Sequence, residues 1–295
     1  MTAARRCPLC QAETVDAFTV GDRNRGIGDS RFAYRRCRSC RTTFLAEVPA
    51  NLSDYYGEDY YVFPSPSQLD RAASGERSKL DLLLPWAKEG RLIEIGAGCG
   101  LFAWTARRAG FDVTAIEMDG RCCSYIDEVL GVRAIQSDAP EKALAELAPS
   151  RVIVAWHVFE HLPRPWEVLE QAAGQLEPGG VLALAMPNPD SLQFQVLGAR
   201  WAHVDAPRHL FLIPYQALKA RAEELGLTAV LVTSDDPAAR HWNAFGWEYA
   251  LRGLPARVPS TPVSRAGGHA LALCAAPFER RDLRGTAYTA IFVKR

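Results

Sequence analysis

The sequence predicts an α/β protein, a parallel sheet covered by helices on both faces, preceded by a small metal-dependent module. Three observations lead there. From Gly90 onward, short runs of aliphatic and β-branched residues alternate with helix-like segments, the pattern of a sheet buried on both sides. The run Leu92-Ile93-Glu94-Ile95 feeds directly into the glycine-rich turn Gly96-Ala97-Gly98-Cys99-Gly100. Ahead of both, Cys7-Pro-Leu-Cys10 and Cys37-Arg-Ser-Cys40 form two C-x-x-C pairs.

Taken in order, residues 1–48 read as a zinc ribbon. Each knuckle offers two thiolates to one ion, so Cys7, Cys10, Cys37 and Cys40 complete a closed tetrahedral set, structural rather than catalytic. A redox pair would need a strand–helix context that is missing here. The module is too short to fold without its metal. Cys99, Cys122, Cys123 and Cys274 stand outside any metal spacing and read as small, partly buried residues. Residues 49–89 form a linker dense in tyrosine, from Asp54 to Pro64, followed by one helical stretch, Ser67 to Trp86. The rings serve either as glue between module and main domain or as a lid over a cofactor.

Residues 90–295 hold seven expected strands: 91–95, 112–117, 132–135, 151–156, 180–185, 228–233 and 288–293. Pro178-Gly179-Gly180 reads as a turn before the fifth strand, and Pro187-Asn188-Pro189 as a turn after it. Glycine permits the positive φ and close ligand approach that a cofactor turn requires. About twenty residues on, the second strand ends in Glu117, where a carboxylate can hold both ribose hydroxyls. An insertion at about 236–284 carries two apolar helices, one with Trp242, Phe245, Trp247, Tyr249 and Leu251, the other spanning His269 to Phe278. They could shape an acceptor pocket, pack a homodimer or touch a membrane surface.

The turn is not the G-x-G-x-x-G of dinucleotide sites, and no lysine or arginine stands in it to meet a phosphate. Glu94-Ile95-Gly96-Ala97-Gly98-Cys99-Gly100 resembles the first motif of class I S-adenosylmethionine-dependent methyltransferases, an acid followed by G-x-G-x-G. The resemblance implies a Rossmann-like seven-strand methyltransferase sheet. It places Glu94 near the cofactor's amino group, with Gly96, Ala97, Gly98 and Gly100 along its methionine portion. Glu117 meets the ribose, Asp138 faces the adenine amino group, and Met118 and Ala139 wall the ring.

His157-Val158-Phe159-Glu160-His161 spells the H-x-x-E-H of a zinc peptidase, but it follows directly on the fourth expected strand, and Leu162-Pro163-Arg164-Pro165 ends its helix. It resembles instead a stretch widespread in methyltransferases that lies near the methyl-donating sulfur, and His157 would line the cofactor pocket there. Some relatives hold a divalent ion at this point, so magnesium on His157, Glu160 and His161 remains a minority reading against a capping and positioning role. Trp201 to Phe211, with Asp205-Ala206-Pro207-Arg208-His209-Leu210, resembles the signature of a bacterial methyltransferase subgroup that often carries a zinc ribbon.

Histidine can take a proton near neutral pH, aspartate can orient it and arginine can hold an anion. His209 with Asp205 is the preferred base, and His157 the alternative. An Asp205–Arg208 ion pair that merely pins the loop, with His209 as a strut, weighs nearly as much. Proximity alone can also drive methyl transfer.

The expected activity is methyl transfer from S-adenosylmethionine to a small molecule, a hydroxyl or carboxyl of a secondary metabolite or sugar. The alternatives are a sugar-nucleotide C-methyltransferase, an rRNA base methyltransferase and a non-catalytic cofactor-binding scaffold. Acidic and basic residues balance at 34 each, which disfavours a nucleic-acid partner. Pro187-Asn188-Pro189 lacks the aromatic that stacks a flipped base. No run has bilayer-spanning length and the N-terminus lacks a signal-peptide core, so the expected location is the cytoplasm.

Overall fold

A computed structural model describes residues 6–57, 59–252 and 261–295. The first five residues, on which the N-terminal reading rests, lie outside it, as does the middle of the helical insertion. The chain opens with β1 (Thr14–Gly21), β2 (Arg31–Cys37) and β3 (Thr43–Leu45). Then follow α1 (Leu69–Ala72), α2 (Arg77–Leu83), β4 (Gly90–Ile95), α3 (Leu101–Arg108), β5 (Phe111–Glu117), α4 (Gly120–Glu128), β6 (Arg133–Gln136), α5 (Pro140–Ala145), β7 (Ser150–Trp156), α6 (Pro165–Gln175) and β8 (Leu176–Pro187). The last third holds α7 (Leu192–Leu197), β9 (Phe211–Leu212), α8 (Tyr215–Glu224), β10 (Leu227–Thr233), α9 (Pro237–Arg252), α10 (Pro262–Glu279) and β11 (Ala287–Lys294).

The large sheet has the order β10-β11-β8-β7-β4-β5-β6. Successive strand residues point to opposite faces. Leu92, Val152 and Val181 therefore pack beneath Leu80, Leu83, Phe102 and Ala106 of α2 and α3, while Ile93, Ile153 and Leu182 meet Leu144, Leu169, Ala172 and Leu218 of α5, α6 and α8. Both faces are covered, and seven strands stand where seven were expected.

Three details depart from the sequence reading. Strand β11 runs antiparallel to both neighbours. The chain leaves β10 toward the insertion and returns to the edge where β8 ends, since Ala287 pairs with Pro187, so it must travel backward. The segment 67–86 is broken between α1 and α2, where the Ser74 hydroxyl donates to the Arg71 carbonyl at 2.8 Å and Gly75 follows; both weaken a helix. Pro178-Gly179-Gly180 is a bulge inside β8, not a turn before it, because the register with β7 shifts between Ser150 and Val152.

The N-terminal module is not a separate body. Its sheet has the order β1-β2-β3-β9, and β9 comes from the loop after β8 in the main domain. Thr43 and Phe44 pair with Leu212 and Phe211, and the two phenyl rings lie 6.4 Å apart. A boundary at residue 48 therefore cuts through a shared sheet. Among the described residues no helix is long and apolar enough to cross a membrane.

Arg208 locks this junction. Only 1% of it is exposed, and all five of its donors are used. Nε donates to both Asp205 oxygens at 3.2 and 3.1 Å, and Nη2 to Asp205 Oδ1 at 2.6 Å and to Asp22 Oδ1 at 2.7 Å. Nη1 donates to Asp22 Oδ2 at 3.1 Å and to the Tyr55 carbonyl at 2.8 Å. Removing the guanidinium leaves two buried carboxylates unpaired, a loss of about 3–5 kcal/mol. Arg208→Ala should lower the urea midpoint of the whole chain by a corresponding amount, and a midpoint within error of the parent would show that the clamp does not hold the molecule together.

Candidate functional site

At the carboxyl edge of the sheet lies a cavity of about 570 Å³, within the range of small-molecule sites. Its floor is the turn after β4. Gly96 has φ +66°, and a Cβ there would come within 2.5 Å of Val158 Cγ2, so only glycine lets the turn pass under the β7 loop. Gly98 has φ +55° and lies 3.2 Å, at its Cβ position, from the Tyr61 ring.

Glu117, 3% exposed, ties the floor to β5. Its Oε2 accepts from Gly98 N at 2.8 Å, and its Oε1 accepts from Met118 N at 2.8 Å and Asp119 N at 3.0 Å. A carboxylate has about four acceptor positions, so capacity remains toward the cavity. Gly96, Ala97, Gly98, Glu117, Met118, Asp138 and His157 all line it.

Three residues expected there do not. Gly100 is the N-cap of α3 and packs on Ile126. Ala139 yields its place to Ser137 and Pro140. Glu94 is absent from the lining and is buried near Lys79 of α2 and the Ala103 backbone of α3, where burial drives its pKa up to about 8 against the lowering effect of Lys79. Tyr56, Tyr60 and Tyr61 of the linker complete the wall, while Tyr55 packs edge-on against Phe32 of the N-terminal module at 5.5 Å. The linker is therefore both glue and cover. Which tyrosine does which is set by packing, and their spacing does not reveal it.

A second cavity of about 270 Å³ adjoins the first, and Tyr60, His157 and His161 line both. Glu160, His203, Asp205 and His209 give it a polar side, and Trp242 and Phe245 of α9 an aromatic one. His157 sits at the junction with φ +58°, an unusual conformation for a non-glycine residue; its Nδ1 is 3.4 Å from Glu160 Oε1. The 157–161 segment is a short 3-10 turn, Phe159–His161, not a helix, because the left-handed backbone at His157 turns the chain out of β7. His203 joins the site only through tertiary packing, while Trp242 and Phe245 come from the helix that the sequence offered as one possible wall of a pocket.

The proline-containing loop is organised differently from expectation. Asp205 does not orient His209: the His209 Nδ1 lies 2.8 Å from the His203 carbonyl, which can only accept. Nδ1 therefore carries the proton, and Nε2 holds the lone pair. Asp205 is spent on Arg208 and on Asn24, whose Nδ2 donates at 2.6 Å. Burial opposes its ionisation, yet the Arg208 hydrogen bonds hold its carboxyl below the usual range. Arg208, fully engaged, cannot bind an anionic acceptor. The ion pair that pins the loop is real, and it extends to Asp22 of the N-terminal module.

The expected magnesium set is also regrouped, since the three ligand atoms within 4.8 Å of one another belong to Glu160, His161 and His209 rather than His157. At the N-terminus, Cys7, Cys10, Cys37 and Cys40 do cluster within that same limit. The Sγ atoms of Cys7 and Cys40 are 3.7 Å apart and those of Cys10 and Cys37 3.4 Å, close to the roughly 3.8 Å of a tetrahedral site with Zn–S near 2.3 Å. Each knuckle ends in a residue with left-handed backbone, Gln11 and Arg41.

A methyltransferase-domain family model matches residues 67–232, more than half of the chain. The ubiquinone biosynthesis O-methyltransferase of Acinetobacter baumannii (strain AYE) is 25% identical over 137 residues, covering 42% of this chain and 58% of that protein. Its counterpart in Acinetobacter baylyi is 23% identical over 166 residues, covering 52% and 70%. The chain thus spans less than two thirds of the first relative's length. A SAM-dependent methyltransferase from Archaeoglobus fulgidus superposes with a TM-score of 0.53 at 19% identity, over 77% of this chain and 94% of that one, a likeness of fold.

The buried histidines make stability depend on pH. Burial, with Lys79 adding, lowers His157 to about 4; burial and His209 lower His161 to about 4; burial and His157 lower His203 to about 3. In the unfolded chain histidine titrates near 6.5, so between about pH 6.5 and 4 these histidines bind more protons in the unfolded state and their contribution to stability falls as the solution is acidified, opposite in sign to that of Glu94, whose raised pKa makes the folded state the more protonated. The parent should therefore lose more of its urea midpoint across that window than His203→Gln. A His203→Gln profile parallel to the parent's would remove His203 from this account.

Proposed function

The chain belongs to the methyltransferase-domain family, and from that premise we propose that it transfers a methyl group from S-adenosylmethionine to an oxygen, hydroxyl or carboxyl, of a small molecule. The observation that carries this reading is the pair of adjoining cavities with His157 between them. One has the glycine floor and acidic walls suited to the donor. The other, histidine-lined and capped by Trp242 and Phe245, suits an acceptor with an apolar body and a polar reacting end. The O-methyltransferase relatives support oxygen over carbon or a nucleic-acid base.

In this reading Gly96 to Gly98 hold the methionine portion, Glu117 accepts from the ribose hydroxyls, and Asp138 accepts from the adenine amino group with Met118 and Pro140 against the ring. The sulfonium supplies an activated methyl group, so the protein's task is alignment. As the acceptor oxygen bonds to the methyl carbon and the C–S pair returns to sulfur, the acceptor's proton passes to a histidine. His157 replaces His209 as the favoured base because it borders both cavities, and burial keeps it neutral and able to accept. His209 is held deeper, in the acceptor cavity alone. The four cysteines carry a structural zinc that holds β2 and β3 in register for β9.

Two measurements test the assignment. Glu117→Ala should weaken S-adenosylmethionine binding by calorimetry about 100-fold or more, since bonds to a charged acceptor contribute about 1.5–3 kcal/mol each; undiminished affinity in a folded variant would sink the donor site. His157→Ala should cut turnover about 100-fold with cofactor affinity nearly unchanged, the usual contribution of a general base, whereas retained turnover would leave alignment as the sole catalytic device.

A further inference from the structure

Three guanidiniums meet at the turn between β1 and β2, and two of them are matched. Arg208 is spent on Asp22 and Asp205, and Arg25 pairs with Asp59. Arg23 has no such partner. Its Nε is buried without a hydrogen bond, although a buried donor on a charged group is costly to leave unpaired. Asp22, its neighbour in sequence, has nothing left to offer it. Oδ1 accepts from Arg208 Nη2 at 2.7 Å and Arg25 N at 3.0 Å. Oδ2 accepts from Arg208 Nη1 at 3.1 Å and Ile27 N at 3.2 Å, which fills the four or so acceptor positions of a carboxylate. The Tyr249 hydroxyl is close enough for Arg23 to act on it, but burial holds its pKa above the usual value. It is therefore a neutral phenol near pH 7, unable to offset a charge, and its oxygen also lacks a hydrogen-bond partner.

Arg23 forms one wall of a hollow of about 420 Å³ beside the turn. Two further guanidiniums line it: Arg31, the first residue of β2, and Arg200, in the short 3-10 turn Gly198–Arg200 that follows α7. Arg31 gives Nη2 to the Thr19 carbonyl at 2.9 Å and keeps its other donors. Among the described residues, none of the three enters an ion pair.

We propose that Arg23, Arg31 and Arg200 bind the carboxylate or phosphate group of a small molecule. A guanidinium fork matches the paired oxygens that both groups present. Charge points the same way. Around the hollow Arg23, Arg31, Arg200 and Arg208 outnumber Asp22, Asp29 and Asp205 by one, so a single negative group brings the region to balance. Three arginines gathered on one hollow suit one such group rather than the run of phosphates along a nucleic acid. The support is rigid, because Asp22 fixes the turn through Arg25 N and Ile27 N while Arg208 fixes Asp22, and a rigid support is what a binding residue needs. The hollow adjoins the acceptor cavity: Asn24 lines that cavity, and Tyr249 stands one helical turn beyond Phe245, their rings 6.0 Å apart.

The existence of this site does not rest on the methyltransferase reading, so binding is the measurement of choice. The full chain would be titrated with inorganic phosphate and with acetate at fixed ionic strength, following the broadening of each probe's own magnetic resonance line. We expect saturable binding of one ion per chain. Saturation by phosphate alone, by acetate alone or by both supports the site and tells which group it takes. Arg23→Gln and Arg200→Gln should each weaken binding about 10–100-fold, the loss expected for a hydrogen bond to a charged group. Arg36→Gln, exposed on β2 and outside the hollow, should not. Arg200 is exposed, so its variant carries the test if Arg23→Gln does not fold. Urea midpoints report folding, and calorimetry with S-adenosylmethionine on the same samples keeps this site apart from the donor site. Absence of saturable binding of both probes to the parent, or parent-like affinity in either folded variant, overturns the proposal.

Discussion

One buried guanidinium decides how this chain is put together. Arg208 lies 186 residues from Asp22, yet its planar fork meets Asp22 and Asp205 and leaves its last donor for the Tyr55 carbonyl. Taking these charges out of water costs several kcal/mol per ion, repaid only because every donor is matched. Such an arrangement contributes specificity more than net stability. It admits one docking of module, linker and loop, and any other leaves a charge buried alone.

The site inherits that rigidity. Tyr34 of β2 donates its hydroxyl to the His209 carbonyl at 2.8 Å, and Asn24 of the β1–β2 turn donates to both Asp205 Oδ1 and the Ala202 carbonyl. The loop carrying His203 and His209 is therefore held by the N-terminal module, and β9 continues that module's sheet. A cysteine-rich segment far from the glycine turn in sequence contributes Asn24 to the smaller cavity and braces the loop that lines it. The larger cavity draws its walls more widely, from the turns after β4 and β5, the tyrosine linker and the segment after β7.

Much of the fold was legible because its signals are local. Alternating apolar runs place each of the seven strands within a few residues of its observed bounds, the glycine turn marks the end of β4, and the two C-x-x-C pairs mark the four thiols that cluster. Period, turn chemistry and ligand spacing are properties of short windows. The reversal of β11 was not legible, since a strand's direction depends on which edge the chain returns to. Nor was β9, two residues long, which exists only because β3 offers it a free edge.

Residue chemistry alone marked the glycine turn at Gly96 and Gly98, the acid at Glu117 and the two cysteine pairs. Each is demanded by a conformation or bond that few other residues can supply. Tertiary structure alone decided the rest: it turned Asp205 and Arg208 from candidate site groups into a clamp, buried Glu94 away from the larger cavity, set His209 rather than His157 beside Glu160 and His161, and brought His203 to the cavity that Trp242 and Phe245 line. A histidine's role rests on which nitrogen a neighbour's carbonyl occupies and on how dry its surroundings are. Both are set by groups tens or hundreds of residues away, and no local window in the chain contains them.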